Sequence, residues 1–505
     1  MKLSPALRGL AAITLCAVLA IAHAHARQVP VATYAALAAA CTQALPGDTI
    51  TIAPGVYTVA GATRIMIAAR PGPVLVRGGG AAAGDVVIQG NGQDDPSVEM
   101  IFNLDDSPRW TFEHLTTRNS YYHGFKFDHA STDCVLRDVV MMDHGESGVK
   151  GTSDTAAGTY PDRVLIEGCT IGFTHVSGGT RSVVEGVDAV GVNDWIIRGN
   201  RFLNVQKGGN PAYAVFTKGN SSNTIIEGNA FVDCFIGASF GGGGTGAQFF
   251  RDGDQTYEHR NGIIRNNVMI RCSDAAVYVN KGTNCRVYNN TVYQCELTIQ
   301  LRFAESSGYV RNNLVIPSPT NPNEPAVRIR DGATLLASQA NMLGTTGDVS
   351  GPATASQPEL PPAATSKAID GGVDLHDDVP FDYAGTPRPQ GAGFDIGAFE
   401  RRPDAEVPQQ ALDATEAPAL TVAPNPSRGD AVAFVGLRAA SHVVITLHDL
   451  TGRCVATPFS GDLSAGTHTV PVHAAGGTDA ACSAPALLRV VAGSRVRTVP
   501  IVVVR

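Results

Sequence analysis

The sequence predicts an all-β protein, in which a right-handed parallel β-helix is followed by a small C-terminal antiparallel β-sandwich. A short pattern recurs between residues 163 and 316: two apolar residues, two small or polar residues, an asparagine and another apolar strand. Its shortest step is 23 residues, whereas helical-hairpin repeats need about 33 or more. Glycine is abundant, at 55 of 505 residues, and aromatic residues make up only 6%, which favours a solenoid with many turns over a helical protein.

The repeat is marked by the position that asparagine occupies in most copies. If each copy is one coil, the marker residues stack on strands about 4.8 Å apart. Asparagine tolerates a left-handed bend and can hydrogen-bond to its own copy above and below. Right-handedness follows from the usual chirality of parallel crossovers. The marker positions are Leu115, Val139, Cys169, Asn200, Asn229, Asn267, Asn290 and Asn313, at steps of 24, 30, 31, 29, 38, 23 and 23 residues.

The first 26 residues predict a secretory signal peptide. Met1-Lys-Leu and Arg8 precede an apolar run from Gly9 to Ala22, which ends in two Ala-x-Ala sites. No later stretch reaches 18 apolar residues, the length expected of a membrane-spanning helix. The mature protein is therefore expected to be secreted or attached to the cell surface, and to be a monomer.

Residues 27–400 are assigned to the β-helix. A short amphipathic helix over Tyr34–Leu45 is expected to cap the first coil, because an uncapped coil would expose a strand edge. The following Pro46-Gly-Asp, Thr49-Ile-Thr-Ile and Pro54-Gly-Val-Tyr resemble the opening of pectate-lyase-like right-handed β-helix proteins. Asp395-Ile-Gly-Ala-Phe-Glu400 is similar to the closing segment of many bacterial β-helices.

Residues 401–420, rich in Ala, Pro and acidic residues, predict a linker, and 421–505 predict a small β-sandwich of short strands and turns. Pro424-Asn-Pro, Leu447-His-Asp-Leu-Thr-Gly-Arg and Leu463-Ser-Ala-Gly resemble the C-terminal sorting domain of type IX secretion cargo. The resemblance implies outer-membrane secretion machinery as a partner. A carbohydrate-binding sandwich is the alternative.

The charge of the chain narrows the choice of binding partner. The formal net charge of −8 argues against nucleic-acid binding. Residues 181–311 nevertheless hold 13 basic against 11 acidic residues, so an anionic polysaccharide could bind there, unless this distribution arises by chance.

Cys234, Cys272 and Cys295 each lie five residues after a marker asparagine and should form an inward column, as buried thiols or as a disulfide between coils.

The longest step of the repeat, between Asn229 and Asn267, is where a binding loop is expected, because extra residues in a solenoid emerge on one face. Lys218 ends the strand before it, and the insertion contains Arg251, Tyr257, Glu258 and His259. β-Elimination of a uronate needs a positive group for the carboxylate, a base for the C5 proton and an acid for the leaving oxygen. Arg grips a carboxylate with two donors, and Lys or Tyr can act as the base. A polar surface loop with a structural Arg–Glu pair is the alternative.

Lys218-Gly-Asn-Ser, Gly242 to Arg251 and Tyr257-Glu resemble uncharacterised bacterial right-handed β-helix proteins and, more distantly, the chondroitinase B and alginate lyase family. The resemblance implies that Lys218 is the base and that Arg251 assists it. That family places calcium-binding glutamates shortly before the lysine, where Pro211 and Tyr213 stand in this chain. The cofactor therefore stays open: calcium is possible, but the expected carboxylates are missing.

The predicted function is that of a polysaccharide lyase acting by β-elimination on a uronate-containing polymer. No residue is predicted to bind a metal. Asp188 is interpreted as a turn-forming residue. A non-catalytic surface β-helix that binds glycans or mediates adhesion is the alternative, and a hydrolase of the polygalacturonase kind would need paired aspartates on adjacent coils. The predicted catalytic residues are Lys218, Arg251 and Tyr257, and the predicted substrate-binding residues are Tyr213, Gly243, Thr245, Glu258 and His259.

Overall fold

The structure is a computed structural model that describes residues 26–153, 155–351, 353–401, 419–423, 430–437, 440–448, 454–473, 484–492 and 495–503. The chain forms two compact units, divided between residues 403 and 404. The predicted signal peptide and most of the predicted linker lie outside the described residues. Among the described residues, no helix is both long enough and apolar enough to cross a bilayer.

The first unit is a right-handed parallel β-helix, so the predicted fold class is confirmed. It begins with one α-helix, α1 (Tyr34–Thr42). Its strands are, in chain order, β1 (Gln28–Val31), β2 (Thr49–Ile52), β3 (Gly55–Thr58), β4 (Ile65–Ala68), β5 (Val74–Gly78), β6 (Val86–Gln89), β7 (Met100–Asp105), β8 (Trp110–Arg118), β9 (His123–Asp128), β10 (Val135–Met142), β11 (Ser147–Thr152), β12 (Leu165–Glu167), β13 (Thr170–Gly172), β14 (Val184–Val190), β15 (Ile196–Arg198), β16 (Arg201–Leu203), β17 (Ala212–Lys218), β18 (Ser221–Ser222), β19 (Ile225–Glu227), β20 (Ala230–Val232), β21 (Ile236–Phe240), β22 (His259–Arg260), β23 (Ile263–Arg265), β24 (Val268–Ile270), β25 (Ala275–Asn280), β26 (Gly282–Thr283), β27 (Cys285–Tyr288), β28 (Thr291–Tyr293), β29 (Leu297–Arg302), β30 (Ser307–Arg311), β31 (Leu314–Ile316), β32 (Val327–Arg330), β33 (Thr334–Gln339) and β34 (Met342–Leu343).

Three parallel sheets run along this unit. The front sheet contains the ten strands β4, β7, β9, β11, β14, β17, β21, β25, β29 and β32, stacked in that order. A 21-stranded sheet forms the rest of the wall, and β18, β22 and β26 form a short third sheet beside it. Each coil from β14 onward contributes one front strand and two strands of the large sheet. The core lies inside this tube and includes Trp110, Trp195, Phe202 and Phe231, all fully buried.

A ladder of asparagines joins the coils, as predicted. The backbone N–H of Asn200 donates to Oδ1 of Asn229 at 2.9 Å, and that of Asn229 donates to Oδ1 of Asn267 at 2.9 Å. The same contact continues through Asn290 and Asn313 at 3.0 Å each. The side chains satisfy buried backbone donors in the bend between two strands, where a donor without a partner would be costly. The ladder begins at Cys169 and ends at Asn341.

The predicted cysteine column is also present. Val232, Ile270 and Tyr293 are paired in register, and Cys234, Cys272 and Cys295 lie two residues after them. All three thiols are buried and free. The backbone N–H of Cys272 lies 3.2 Å from Sγ of Cys295, so the thiols stack as small buried groups and not as a disulfide.

The helix α1 covers the first coils with Leu37 and Cys41, which are fully buried. Its N-cap is Thr33, whose Oγ1 accepts from the N–H of Ala36 at 3.1 Å. It ends at Thr42, three residues before the predicted end. The carboxylate of Asp48 accepts from the N–H of Leu45 at 2.8 Å, which holds these last residues in a turn.

Residues 345–401 form an irregular tail that packs on the outside of the large sheet. Leu360, Ala398 and Phe399 are buried against β20 and β24, and Ile396 is buried against β31. Arg388 and Glu400 form a buried ion pair of 2.6 Å, in which both side chains are 0% exposed. The predicted closing segment, Asp395 to Glu400, is thus held in place by the burial of its apolar side chains and by one buried ion pair.

The second unit contains antiparallel strands, as predicted. Their bounds are β35 (Ala419–Ala423), β36 (Asp430–Leu437), β37 (Ser441–His448), β38 (Cys454–Leu463), β39 (Gly466–His473), β40 (Ala484–Ala492) and β41 (Arg495–Val503). They form a three-stranded sheet, β35-β36-β39, and a four-stranded sheet, β38-β37-β40-β41. Apolar residues of both sheets, among them Val435, Ile445 and Leu488, share one core.

Candidate active site

Lys218 is the last residue of β17 and lies on the outer face of the front sheet. Apolar residues of β17 such as Ala214 and Val215 point into the core, whereas Tyr213, Phe216 and Lys218 point outward. The Lys218 side chain is only 13% exposed. Its Nζ lies 4.2 Å from the centre of the Phe216 ring and 3.9 Å from Oδ1 of Asp188, so the ammonium is held against an aromatic face and a carboxylate.

A group of charged residues surrounds Lys218 on the neighbouring strands. We call Glu146, Lys150, Glu185, Asp188 and Lys218 the lysine–carboxylate cluster. Parallel register places Lys150 of β11 beside Asp188 of β14, and Val190 of β14 beside Lys218 of β17. Nζ of Lys150 forms an ion pair with Oδ2 of Asp188. Asp188 therefore lies between two lysines on the outer surface of three consecutive coils.

Burial changes the protonation of this cluster. Burial raises the pKa of Glu185 well above its ordinary value, and the nearby charge of Asp188 raises it further. Burial also raises the pKa of Glu146. Burial alone would lower the pKa of Lys150, but the charge of Asp188 and its hydrogen bond raise it overall. The cluster thus favours a neutral Glu185 beside a charged Lys150. Clefts that contain groups with such shifted pKa values are frequent sites of catalysis.

The insertion after Asn229 folds back over the turn that follows Lys218, as predicted. Oε2 of Glu258 accepts from the N–H of Gly219 at 2.7 Å and from Oγ1 of Thr245 at 3.0 Å. The N–H of Arg251 donates to the carbonyl of Gly219 at 3.1 Å. Glu258 is buried by these contacts. Glu258 therefore fixes the glycine-rich segment, residues 241–246, to the end of β17. It is a structural residue in the wall of the cavity beside that segment.

A cavity of about 500 Å³ opens between the glycine-rich segment and the front sheet. Tyr213 forms part of its floor, stacks on Phe216 at 4.5 Å and donates from Oη to the carbonyl of Gly242 at 3.0 Å. A Cβ on Gly242 would lie 2.6 Å from the Phe216 ring, so a glycine is needed there. The cavity is lined by Tyr213, Gly242, Gly243, Gly244, Thr245, Phe250, Gln255, Glu258, Tyr278, Asn280, Lys281, Arg302 and Phe303.

Four of the eight predicted site residues, Tyr213, Gly243, Thr245 and Glu258, line this cavity. Lys218 adjoins it, because Phe216 contacts both Lys218 and Gly242. The other three predicted residues, which are Arg251, Tyr257 and His259, do not line it.

Arg251 is engaged with the protein itself. Its two terminal nitrogens bind both oxygens of Asp162, at 2.6 and 2.9 Å, and its guanidinium lies 3.8 Å from the centre of the Tyr160 ring. It also donates to the carbonyl of Gly191 at 3.2 Å. The fork that was expected to grip a substrate carboxylate grips Asp162 in this structure and fastens the insertion to the preceding coils.

Tyr257 and His259 also occupy structural positions. Oη of Tyr257 donates to the carboxylate of Asp252, and burial followed by that hydrogen bond raises the pKa of the phenol. The His259 side chain is fully buried and stacks on Phe240 at 4.2 Å. Burial lowers the pKa of His259 to about 3, so the ring is neutral. The ring faces the interior in this structure, away from the cavity, and a contact of His259 with substrate stays a prediction.

Sequence reasoning missed the cations that do line the cavity. Arg302 of β29 is paired in register with Asn280 of β25, and both continue the column that begins with Lys218. Arg302 donates to Oη of Tyr278 at 3.4 Å and forms an ion pair with Asp331. Counting coil steps onward from Lys218 would have identified this column. The interpretation of Asp188 as a turn residue is also wrong, since it lies within β14.

The described residues contain one group of three potential metal ligands close together. It comprises Asp105, Asp106 and His129, whose ligand atoms lie within 4.8 Å of one another. His129 already bonds to the carboxylate of Asp105, and Asp106 accepts from the N–H of Ala130 at 3.1 Å. These hydrogen bonds connect the turns at the ends of β7 and β9, and they account for why the three side chains lie close together.

Comparison with protein-family models and with curated proteins found no match. Solved structures are similar to part of the chain. An alginate lyase from Paenibacillus sp. str. FPU-7 is 16% identical, with a TM-score of 0.40, over 61% of this chain and 99% of that one. Pectate lyase Pel9A is 15% identical, with a TM-score of 0.47, over 75% and 97%. Endopolygalacturonase I from Stereum purpureum is 10% identical, with a TM-score of 0.32, over 63% and 98%. Similarities this low assign no activity to the chain.

Proposed function

We propose that this protein is a carbohydrate-active enzyme that cleaves a uronate-containing polysaccharide by β-elimination. The single observation that carries the proposal is the position of Lys218: a largely buried amine at the end of a front strand, between the other members of the lysine–carboxylate cluster and the cavity. An amine in such a cleft is suited to proton abstraction. The cations and aromatic rings next to it suit an acidic sugar.

In the proposed reaction the uncharged amine form of Lys218 takes the proton from C5 of the uronate at Nζ and becomes an ammonium. The electron pair of that C–H bond forms a double bond between C4 and C5, and the bond from C4 to the leaving oxygen breaks. Positive charge is needed near the carboxylate, because negative charge builds up there as the proton leaves. Tyr213 stacks on Phe216, the ring that Lys218 also contacts, and burial raises the pKa of its phenol to about 12. It holds its proton at neutral pH and could deliver it to the leaving oxygen.

The cavity supports recognition of the sugar next to the cleaved bond. Arg302 and Lys281 supply positive charge, and Tyr213, Tyr278 and Phe303 supply aromatic surface. Lys281 lies in a left-handed turn, and its carbonyl accepts the N–H of Glu258 at 2.9 Å. We propose that these side chains, and not Arg251, bind the acidic substrate in the present conformation.

The proposal is tested by incubating the purified protein with alginate, pectate, chondroitin and heparin. The unsaturated uronate that β-elimination creates absorbs in the ultraviolet, and at least one polymer is expected to give this signal. New reducing ends without the signal would point to a hydrolase. Retention on an immobilised polymer without any product would favour the alternative, a non-catalytic glycan-binding protein. The structural contacts of Arg251 and Tyr257 are the observation that favours this alternative.

We also propose that the protein is exported. The support is the signal-like segment 1–26 and the resemblance of 421–505 to a sorting domain, whose described strands are antiparallel. Mass spectrometry of the protein from a culture of its own host is expected to find a mature chain that begins near residue 27 outside the cytoplasm. Recovery of a chain with Met1 from the cytoplasm alone would contradict export.

A further inference from the structure

Lys150 lies among three carboxyl groups on the outer face of the front sheet. Its ammonium forms an ion pair with Asp188, and the charges of Glu185 and Glu146 also act on it. Its side chain is 18% exposed, and that of Asp188 is 4% exposed. A cation is therefore already built into the most acidic part of the proposed active site.

Two carboxylate oxygens of this group are left without hydrogen bonds. Oε2 of Glu185 and Oδ1 of Asp188 are buried and have no hydrogen-bond partner. Buried oxygens of this kind normally have a partner, because desolvation without compensation is costly. Several carboxylate oxygens with free lone pairs are also what calcium requires, since it takes about six to eight oxygen ligands.

Calcium does not fit this group, however. The ammonium of Lys150 occupies the space beside Oδ2 of Asp188, and Nζ of Lys218 lies 3.9 Å from Oδ1. The positive charge of Lys150 would repel a divalent ion. On the neighbouring strand Tyr213 lies opposite Glu185, so a phenol and not a further carboxylate is next to Glu185 on that side. The residues present match a fixed ammonium better than a metal.

We propose that the ammonium of Lys150 takes the role of a divalent cation in this site, so that the enzyme neutralises the carboxylate of its substrate without calcium. This inference rests on the proposed lyase function. It gives Lys150 a role distinct from that of Lys218: Lys150 supplies fixed positive charge, and Lys218 accepts the proton.

Three variants of Lys150 separate charge from volume. Lys150→Ala removes the ammonium from beside the carboxyl groups of Glu185 and Asp188 and leaves its space empty, Lys150→Met fills the space without charge, and Lys150→Arg keeps the charge. Thermal unfolding is measured with and without calcium chloride. We expect calcium to raise the unfolding temperature of Lys150→Ala by roughly 3 °C at a hundredfold excess over its dissociation constant. Wild type, Lys150→Met and Lys150→Arg should show no comparable rise.

Activity gives the second readout. Lys150→Met is expected to lose about 10²–10³-fold in kcat, the typical effect of removing one group that stabilises developing charge. Lys150→Arg should keep most of the activity, calcium should restore part of it to Lys150→Ala, and EDTA should leave wild type unchanged. The inference is overturned if EDTA inactivates wild type and calcium restores it, or if calcium shifts wild type and Lys150→Ala equally.

The two proposals fail in different ways. If wild type forms no unsaturated product from any polymer, the lyase function fails, and the role of Lys150 in catalysis fails with it. The calcium-dependent unfolding still decides whether Lys150 excludes a metal, because it needs no substrate. Should Lys150→Ala not fold, the ratio of activities of Lys150→Arg and Lys150→Met decides the question, and equal activities would overturn the inference.

Discussion

Replacing Lys218 by alanine is expected to lower kcat on the cleaved polymer by about 10²–10⁴-fold, the usual cost of losing a general base. The fold should survive, because Lys218 ends its strand and its one ion-pair contact among the described residues, at 3.9 Å, is with an aspartate that also pairs with Lys150. The measurement is the initial rate of ultraviolet absorbance, with circular dichroism to check folding. Lys367→Ala removes an exposed lysine from the tail and should change neither.

Lys218→Arg sharpens the same prediction. Arginine keeps the positive charge but is not deprotonated in proteins, so it cannot take a proton. If Lys218 is the base, Lys218→Arg should be as inactive as Lys218→Ala. Activity within a few-fold of wild type in Lys218→Arg would show that Lys218 provides only charge, and the base would have to be sought elsewhere in the cleft.

Replacing Arg388 by methionine is expected to destabilise the first unit by about 3–5 kcal/mol, because it leaves the carboxylate of Glu400 buried without its cation. Arg388 donates to Glu400 at 2.6 Å, to the carbonyl of Gly397 at 2.9 Å and to Oδ1 of Asn266 at 3.2 Å. It thus joins the tail to the large sheet. Urea unfolding measures the loss, and limited proteolysis should show earlier cleavage within residues 345–401.

Arg198→Ala is the matched control for Arg388. Its ion pair with Glu167 is exposed, at 45% and 28%, and exposed pairs contribute only about 0–1 kcal/mol. The double variant Arg388→Met with Glu400→Leu should recover most of the lost stability, since no buried charge remains unpaired. An Arg388→Met variant as stable as Arg198→Ala would contradict a structural role for the buried pair.

The repeat could be read from the sequence because it is periodic. The marker positions Asn200 to Asn313 stack as expected, and even the step from Val139 to Cys169 keeps register. The outward-facing residues were harder to assign. Lys218 and Tyr213 were found because they lie next to a recognisable insertion, whereas Lys150 and Glu185 lie on coils without any local motif. Their proximity depends on coil lengths of 38 and 28 residues, which bring distant residues into one column.

The insertion shows why residue type alone does not identify a catalytic group. Arg251, Tyr257 and His259 are chemically suitable, but the loop needs its own anchors to stay closed over β17. Asp162, Asp252 and Thr224 provide these anchors. A sequence does not reveal which polar side chains are used internally, because the partners of Arg251 and His259 lie 89 and 35 residues away.

The buried cysteine column has a consequence for how this β-helix responds to its chemical surroundings. Burial raises the pKa of Cys234 to about 12, and the contact with Cys295 together with burial raises the pKa of Cys272 well above its ordinary value, whereas only a thiolate reacts readily with oxidants or disulfides. Thiols buried in this way react slowly in the folded state, so the described coils of the first unit are held together without a bond between these cysteines that an oxidant would form or a reductant would break.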